Sequence, residues 1–250
     1  MLAPVRFSNL KYMAQSPAHY RERLLNPPEP SRAMRIGTCA HAALLGGNVV
    51  VYDGDRRGKA WLEFEDAHAG QEIVTRAEWV LGEAMADAVR ADCAAADLLA
   101  GMVHFEERVG FWIGSRECAG RIDAYSYDAL IEFKTCADAS PARFASHAVR
   151  MGYLAQVAWY IDGLGRCSVP LDAAYIIAVE SKPPHVVQVY EITPASLDFG
   201  RAQYRSWWER LMQCEAANEW PGYVQSIAPL EPPVELGDVT LSIGDEEVSL

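Results

Sequence analysis

Residues 120–135, GRIDAYSYDALIEFKT, contain two apolar runs with the length and composition of strands. Each run carries an acid, Asp123 in the first and Glu132 in the second, and Lys134 follows the second acid by two positions. A turn of about four residues, SYDA, would join the two runs as a hairpin. Glu132 and Lys134 would then point to one face of the sheet, and Asp123 would lie beside Glu132 on that face.

Two carboxylates placed side by side in a strand pair would repel each other and would be costly to remove from water. A divalent cation that takes oxygen ligands, such as Mg²⁺ or Mn²⁺, removes this cost. A lysine beside the cation can position or help deprotonate a water molecule, or stabilise negative charge on a phosphate. The three residues therefore indicate a site for phosphodiester hydrolysis. The alternative is a solvated strand face with an ordinary surface ion pair.

Composition narrows the class of protein. Half of the 250 residues are hydrophobic, and no apolar run reaches the ~18 residues of a membrane span. The N-terminus lacks an apolar core of signal-peptide length, and the six cysteines form no CxxC pair, so we expect reduced thiols in a cytoplasmic protein. The net charge of −12 argues weakly against a nucleic-acid partner. It is uneven, because residues 1–40 hold six basic and two acidic residues, whereas residues 224–250 hold six acids and no base.

The order of predicted elements gives the fold class. Three strands (VHFEERVGFWI, ECAGRIDAY and ALIEFKT) follow a set of helices, and two more (AAYIIAVE and HVVQVYEI) come after a helix that runs from Pro141 to about Gly163. A long helix precedes the strands, with a capping-box pattern at Thr75 and Glu78 and a stop at Gly101. This order predicts an α/β fold with a mixed central sheet flanked by helices. The fold would span residues 1–223, and an acidic, proline-rich linker and tail, with a weak hairpin, would follow at 224–250.

Several motifs resemble the PD-(D/E)xK nuclease superfamily, whose fold is of the restriction-endonuclease type. GRID followed by IEFKT is similar to its core, and GTCAHAALL, EERVGFW and GYLAQVAWYIDG are similar to motifs of the RecE- and lambda-type exonucleases of phages and prophages. SPAHYRERLL near the start and WPGY near the end complete the set, which covers residues 6–223 in the expected order.

This resemblance implies a ligand set for Mg²⁺, for which Mn²⁺ can substitute. Asp123, Glu132, His41 and the backbone carbonyl of Phe133 would hold one ion. A further acid is expected in EERVGFW and would share a second ion with Asp123. Strand periodicity selects Glu107 over Glu106, because it places Glu107 in one stripe with apolar residues.

Other residues have roles that the sequence leaves open. Lys134 would position the attacking water with help from Gln156, and Tyr160 lies one helical turn further on the same face. Gln156 and Tyr160 could instead be the buried seam of a helix, and His41 a packed helix residue. Arg35 and Arg121 could contact phosphate or could be structural.

The implied activity is 5′-to-3′ digestion of double-stranded DNA from its ends, in phage-type recombination. The related enzymes are rings of identical subunits that work beside a single-strand annealing protein, in a bacterial or phage-infected cytoplasm. One alternative is a structure-specific endonuclease of the same fold. An iron–sulfur exonuclease is disfavoured because only Cys214 lies near the C-terminus. Another alternative is a non-catalytic DNA-binding or assembly protein, although an intact Asp123, Glu132 and Lys134 set argues against it.

Overall fold

The computed structural model describes residues 3–223, 227, 229, 240–243 and 246–249. The α-helices in this part of the chain are α1 (Phe7–Leu10), α2 (Pro17–Leu25), α3 (Arg32–His41), α4 (Gly58–Ala67), α5 (Arg76–Ala91), α6 (Cys93–Ala100), α7 (Pro141–Met151), α8 (Tyr153–Arg166) and α9 (Pro194–Ala217). The strands are β1 (Val5–Arg6), β2 (Val49–Tyr52), β3 (Glu72–Thr75), β4 (His104–Ile113), β5 (Arg116–Tyr125), β6 (Ala129–Cys136), β7 (Ala173–Glu180), β8 (Val187–Glu191), β9 (Thr240–Ile243) and β10 (Glu246–Ser249).

The central sheet is mixed, as the sequence predicts. In the described part of the chain it contains six strands in the order β1-β5-β6-β7-β8, with β4 also paired to β5. Strands β4, β5 and β6 are successive antiparallel hairpins, whereas β6 and β7 are parallel and are connected through α7 and α8. The parallel pair requires this crossover, since parallel strands cannot be joined by a tight turn.

Helices cover both faces of the sheet. One face packs against α8, α9 and the N-terminal helices, around Trp159, Ile122 and Leu130. The other packs against α3, α5 and α6, around Phe133 and Met85. The restriction-endonuclease-like fold class that the sequence predicts is therefore confirmed. No helix among the described residues is both long enough and apolar enough to cross a lipid bilayer.

Two predicted helices are each interrupted by a capping residue. Asp92 ends α5 and accepts a hydrogen bond from the Ala95 N–H at 2.9 Å, which makes it the N-cap of α6. Gly152 has φ +74° and separates α7 from α8. The capping box at Thr75 and Glu78 is confirmed at the start of α5, because each side chain accepts a hydrogen bond from the other residue's backbone N–H.

Two regions lie outside the predicted core elements. Residues 49–75 form a two-stranded parallel sheet, β2 and β3, with α4 between its strands, and the sequence analysis assigns no element there. In the tail, β9 and β10 pair antiparallel, in agreement with the predicted hairpin. Most of the predicted proline-rich linker lies outside the described residues.

Candidate metal and phosphate site

The site lies at a gap along one edge of β5. Strand β6 pairs with β5 only at Ala124 and Tyr125, and β1 pairs with β5 further back, at Cys118 and Ala119. Between these two pairings, the Oδ2 atom of Asp123 accepts a hydrogen bond from the Phe133 N–H at 2.7 Å. The Asp123 side chain therefore accepts the hydrogen bond of β6 at the point where backbone pairing between β5 and β6 ends. This contact fixes the Asp123 carboxylate at the mouth of the gap.

Glu132 and Lys134 form a buried ion pair on β6. Glu132 is fully buried, and its Oε2 lies 2.6 Å from Lys134 Nζ. Its other oxygen, Oε1, is buried and has no hydrogen-bond partner among the described residues. Burial and then the charge of Asp123 raise the pKa of Glu132 to about 7. Burial opposes the charge on Lys134, but the Glu132 and Asp123 carboxylates outweigh it and raise the pKa of the ammonium.

A second group of ligand atoms comes together next to this pair. His41 Nδ1 lies 3.6 Å from Glu106 Oε1 and 3.6 Å from Asp123 Oδ1, and one ligand atom from each residue lies within 4.8 Å of the other two. Burial opposes protonation of His41, but the nearby carboxylates, Asp123 first and then Glu106, raise its pKa. The imidazole is also held edge-on to the Phe133 ring, with centroids 4.9 Å apart.

His41 is placed by close packing of two helices. It is the last residue of α3, where the chain continues into a π-helical turn at Ala42–Gly46. Helix α5 crosses α3 at Gly82, where a Cβ atom would lie 2.4 Å from the Cβ of Cys39. Only glycine permits this approach, so the packing of Gly82 sets the position of the helix end that carries His41.

The β4 acid that lies beside His41 and Asp123 is Glu106, whereas the sequence pattern favours Glu107. Glu106 has φ +51°, in the left-handed region, so the regular alternation of side chains along β4 is interrupted there. Phe105 is accordingly 41% exposed instead of buried. The Glu107 side chain is 42% exposed and lies 2.6 Å from His104 Nδ1, away from the cluster. The pairing of β4 with β5 resumes in the same register on either side, at Phe105–Ala124 and Glu107–Ile122, so Glu106 and Asp123 lie between these two pairs.

Gln156 and Tyr160 both reach the site from α8. Gln156 Nε2 donates a hydrogen bond to the Tyr160 hydroxyl at 3.3 Å, and both side chains line the cleft. The Tyr160 ring packs against Gly120 of β5, where a Cβ atom would lie 2.5 Å from Cε1 of the ring. Burial raises the pKa of Tyr160, so its hydroxyl stays protonated at neutral pH.

One cleft of about 620 Å³ is lined by His41, Glu106, Asp123, Lys134, Gln156 and Tyr160, and the buried Glu132 adjoins it through its contact with Lys134. Arg121 is on its wall, and its Nε lies 3.0 Å from Glu106 Oε2. Arg35 is outside the cleft lining, and its guanidinium donates to Glu78 Oε1 at 2.8 Å and to the Pro30 carbonyl at 2.6 Å. Of the two roles that the sequence leaves open for Arg35, these contacts favour the structural one, in the packing of α3 on α5.

The residues fit a divalent cation. Glu106 Oε1 and Glu132 Oε1 are both buried oxygens without a hydrogen-bond partner in the described part of the chain. Leaving such an atom unpaired costs about 1–3 kcal/mol or more for a charged group, which a cation would offset. Carboxylate oxygens with one imidazole suit Mg²⁺ or Mn²⁺. The carbonyl of Phe133 as a further ligand stays a prediction.

Some residues of the site were not predicted from the sequence. Arg6 and Arg108 line the cleft, and the Tyr153 ring lies 5.3 Å from Lys134 Nζ. Arg108 follows Glu106 by two positions in the β4 motif HFEERVGFW, and residues two apart in a strand share a face. This spacing could have indicated a second polar residue on the side of the cleft.

Residues 6–230 match the family described as a PDDEXK-like domain of unknown function (DUF3799). The chain belongs to this family. No curated protein sequence matches the chain. Membership of the PDDEXK-like family confirms the PD-(D/E)xK resemblance, and proteins of this superfamily usually use a divalent metal ion.

Two solved structures are similar to this chain. A protein assigned as an exonuclease from Eubacterium rectale has a TM-score of 0.65 at 14% identity, and the match covers 93% of this chain and 91% of that one. A phage-related exonuclease from Haemophilus somnus 129PT has a TM-score of 0.37 at 13% identity, with 88% and 98% covered. At these identities the first similarity supports the fold, and the second adds no further argument.

Proposed function

We propose that this PDDEXK-like protein is a Mg²⁺-dependent deoxyribonuclease that digests double-stranded DNA from its ends in the 5′-to-3′ direction. The observation that carries the proposal is the meeting of Asp123, Glu132 and Lys134 with His41 and Glu106 at one cleft. Two buried carboxylate oxygens without partners, one of them in the Glu132–Lys134 pair, are costly unless a cation and its substrate complete the site. A purely structural sheet gains nothing from this arrangement.

The proposed ligands are the carboxylates of Asp123, Glu132 and Glu106 with the imidazole of His41. Mg²⁺ bound there, with Mn²⁺ as a substitute, would neutralise charge on the scissile phosphate and lower the pKa of a water molecule. Asp123 is held by the Phe133 N–H, so its second oxygen keeps a fixed direction toward His41. This pre-organisation reduces the cost of assembling the site.

Lys134 is the proposed positioning group for the attacking water. Its ammonium is fixed between Glu132 Oε2 at 2.6 Å and the Tyr153 ring at 5.3 Å, so its direction is constrained. Because its pKa is raised, it stays protonated and acts as a hydrogen-bond donor and positive charge, and proton removal falls to another base or to solvent. Gln156 offers an amide on the same side of the cleft and is held by Tyr160.

The polarity, the end preference and the assembly rest on the resemblance to RecE- and lambda-type enzymes. By the same resemblance we propose a ring of identical subunits, a single-strand annealing protein as partner and a role in phage-type recombination. The net charge of −12 is compatible with DNA binding, because Arg6, Arg108 and Arg121 line the cleft, the proposed cation would offset its acids, and six further acids lie at positions 224–250 of the sequence.

The test is a nuclease assay on end-labelled linear, nicked and circular duplexes, with Mg²⁺ and with EDTA. We expect Mg²⁺-dependent release of nucleotides from linear DNA with a free 5′ end, and intact circular DNA. Lys134→Ala should reduce cleavage by ~100-fold or more, as loss of a single electrostatic group at a reacting centre commonly does. The control Lys59→Ala changes a lysine whose side chain is 89% exposed, and it should cleave normally.

Two results would reject the proposal. Undiminished cleavage by a folded Lys134→Ala variant would remove its catalytic basis. Cleavage of circular DNA at a rate equal to that of linear DNA would replace the exonuclease with an endonuclease of the same fold.

A further inference from the structure

Three arginines lie on one surface of neighbouring strands at the cleft. In the register of β4 and β5, Arg108 is directly opposite Arg121, and in the register of β1 and β5, Arg6 is opposite Ala119. Ala119 and Arg121 are two positions apart on β5, so they face the same side. Arg6, Arg108 and Arg121 all line the cleft that contains the metal-ligand cluster.

This arrangement is unfavourable for the protein alone. Like charges directly opposite each other in a strand pair are destabilising. Only Arg121 has a carboxylate partner, Glu106 at 3.0 Å, whereas Arg6 and Arg108 take part in no ion pair among the described residues. The chain contains 34 acidic and 22 basic residues, so a shortage of acidic residues does not explain why Arg6 and Arg108 lack an ion-pair partner. Two arginines of this row without an acidic partner at the cleft therefore indicate an anionic ligand.

The spacing of the row fits an extended polyanion. Glu106 and Asp123 both belong to the cluster, and the Arg108–Arg121 pair is two residues further along both strands. Arg6, opposite Ala119, marks a further step of two residues. Two residues of a strand advance by about 6.6–6.8 Å, a step of the same order as the separation of successive phosphates in an extended nucleic-acid strand.

We propose that Arg6, Arg108 and Arg121 bind consecutive backbone phosphates of the DNA strand beside the scissile phosphate. This inference rests on the proposed nuclease function and adds the path of the strand: from the metal-ligand cluster along β5 toward β1. Contacts of this kind go to phosphate and not to bases, so they position the substrate without selecting sequence. Arg121 also joins the two sites, since it contacts Glu106 of the cluster.

The test measures equilibrium binding of a fluorescein-labelled 30-base-pair duplex by anisotropy, in Ca²⁺ at several salt concentrations, with the probe checked for intactness. Arg6→Gln and Arg108→Gln change exposed side chains, so both variants should fold, which a melting curve verifies. Each lost phosphate contact should lower the slope of log affinity against log salt by about 0.9. Both variants should weaken binding equally for duplexes of unrelated sequence.

Arg121→Gln has a matched control in Arg205→Gln. The two side chains are 60% and 61% exposed and each lies near one carboxylate, but Arg205 is on α9 and outside the cleft lining. Arg205→Gln should bind the duplex as the unchanged protein does. Unaltered affinity and salt slope in Arg6→Gln and Arg108→Gln, or no DNA binding by the unchanged protein, would overturn the inference. DNA binding that the arginine substitutions weaken, in a protein that does not cleave DNA, would instead reject the nuclease function and still support phosphate binding by the three arginines.

Discussion

Two separate substitutions, Glu106→Gln and Glu107→Gln, test which of these adjacent acids belongs to the proposed metal site. The Glu106 side chain is 13% exposed, and its buried Oε1 lies 3.6 Å from His41 Nδ1. The Glu107 side chain is 42% exposed and contacts His104. The two variants make the same chemical change one position apart, so a difference between them reports the placement of the side chain.

The expected size of the difference follows from the loss of one carboxylate from the cluster. Changes to groups that merely orient metal ligands weaken affinity by ~10–100-fold, so loss of a ligand should cost at least ~100-fold. Mg²⁺ at a hundred times its dissociation constant stabilises the fold by about 2.7 kcal/mol, whereas a site weakened about 100-fold gains about 0.4 kcal/mol. With ~2–4 °C per kcal/mol for a chain of this size, the shifts in Tm are about 5–11 °C against about 1–2 °C.

The assay is a melting curve with Mg²⁺ and with EDTA, supported by calorimetric titration. Glu107→Gln should keep the full Mg²⁺-dependent shift, because an exposed pair of this kind contributes at most about 1 kcal/mol to stability and nothing to the cation. A full shift in Glu106→Gln, together with a reduced shift in Glu107→Gln, would refute the assignment that follows from the left-handed backbone of Glu106.

Three further predictions concern neighbouring residues. His41→Ala should weaken Mg²⁺ binding with little loss of unfolding free energy, and excess Mn²⁺ should restore part of the activity; a large drop in Tm at unchanged metal affinity would make His41 a packing residue. Metal affinity should fall by up to about tenfold per pH unit below pH 7 for each proton that the metal displaces. The reason is that metal binding needs the ionised form of Glu132, whose pKa is raised to about 7. Titration calorimetry measures this affinity, and equal values at pH 6 and pH 8 would contradict the prediction. Gly120→Ala places a Cβ 2.5 Å from Tyr160 Cε1 and should lower the free energy of unfolding in urea by about 1–3 kcal/mol. Gly165→Ala has open space around its Cβ and should not destabilise the protein. Equal effects of the two substitutions would argue against the packing of Tyr160 on Gly120.

Local rules were sufficient for the centre of the fold. Asp123, Glu132 and Lys134 could be placed because their strands are antiparallel and adjacent in the sequence, and because the short turn between them fixes the register. The capping box at Thr75 was equally local, since its two partners are three residues apart. Such features depend on neighbours in the sequence and need no knowledge of distant contacts.

The parts that the sequence missed depend on tertiary structure or on backbone conformation. The prediction for β4 assumed a regular pleat, but the positive φ of Glu106 interrupts it, and Glu106 instead of Glu107 lies beside His41 and Asp123. Arg35 looked available for phosphate, but its partner Glu78 is distant in the sequence and meets it only when α3 packs on α5. The arginine row could not be predicted because it depends on the pairing of β1 with β5. Strand β1 has two residues and therefore carries no periodic pattern.

Asp123 has a consequence for how such a protein could evolve. Its carboxylate closes the ladder between β5 and β6 through the Phe133 N–H, and it also faces His41. A descendant that lost the proposed chemistry would still need the first contact, and Lys134 would still balance the charge of the buried Glu132, whereas His41 would be released from selection. Among related chains, an aspartate or a lysine retained at these positions is therefore weak evidence for an active member, and a histidine retained at the end of α3 is stronger evidence. Degenerate copies should lose the histidine first.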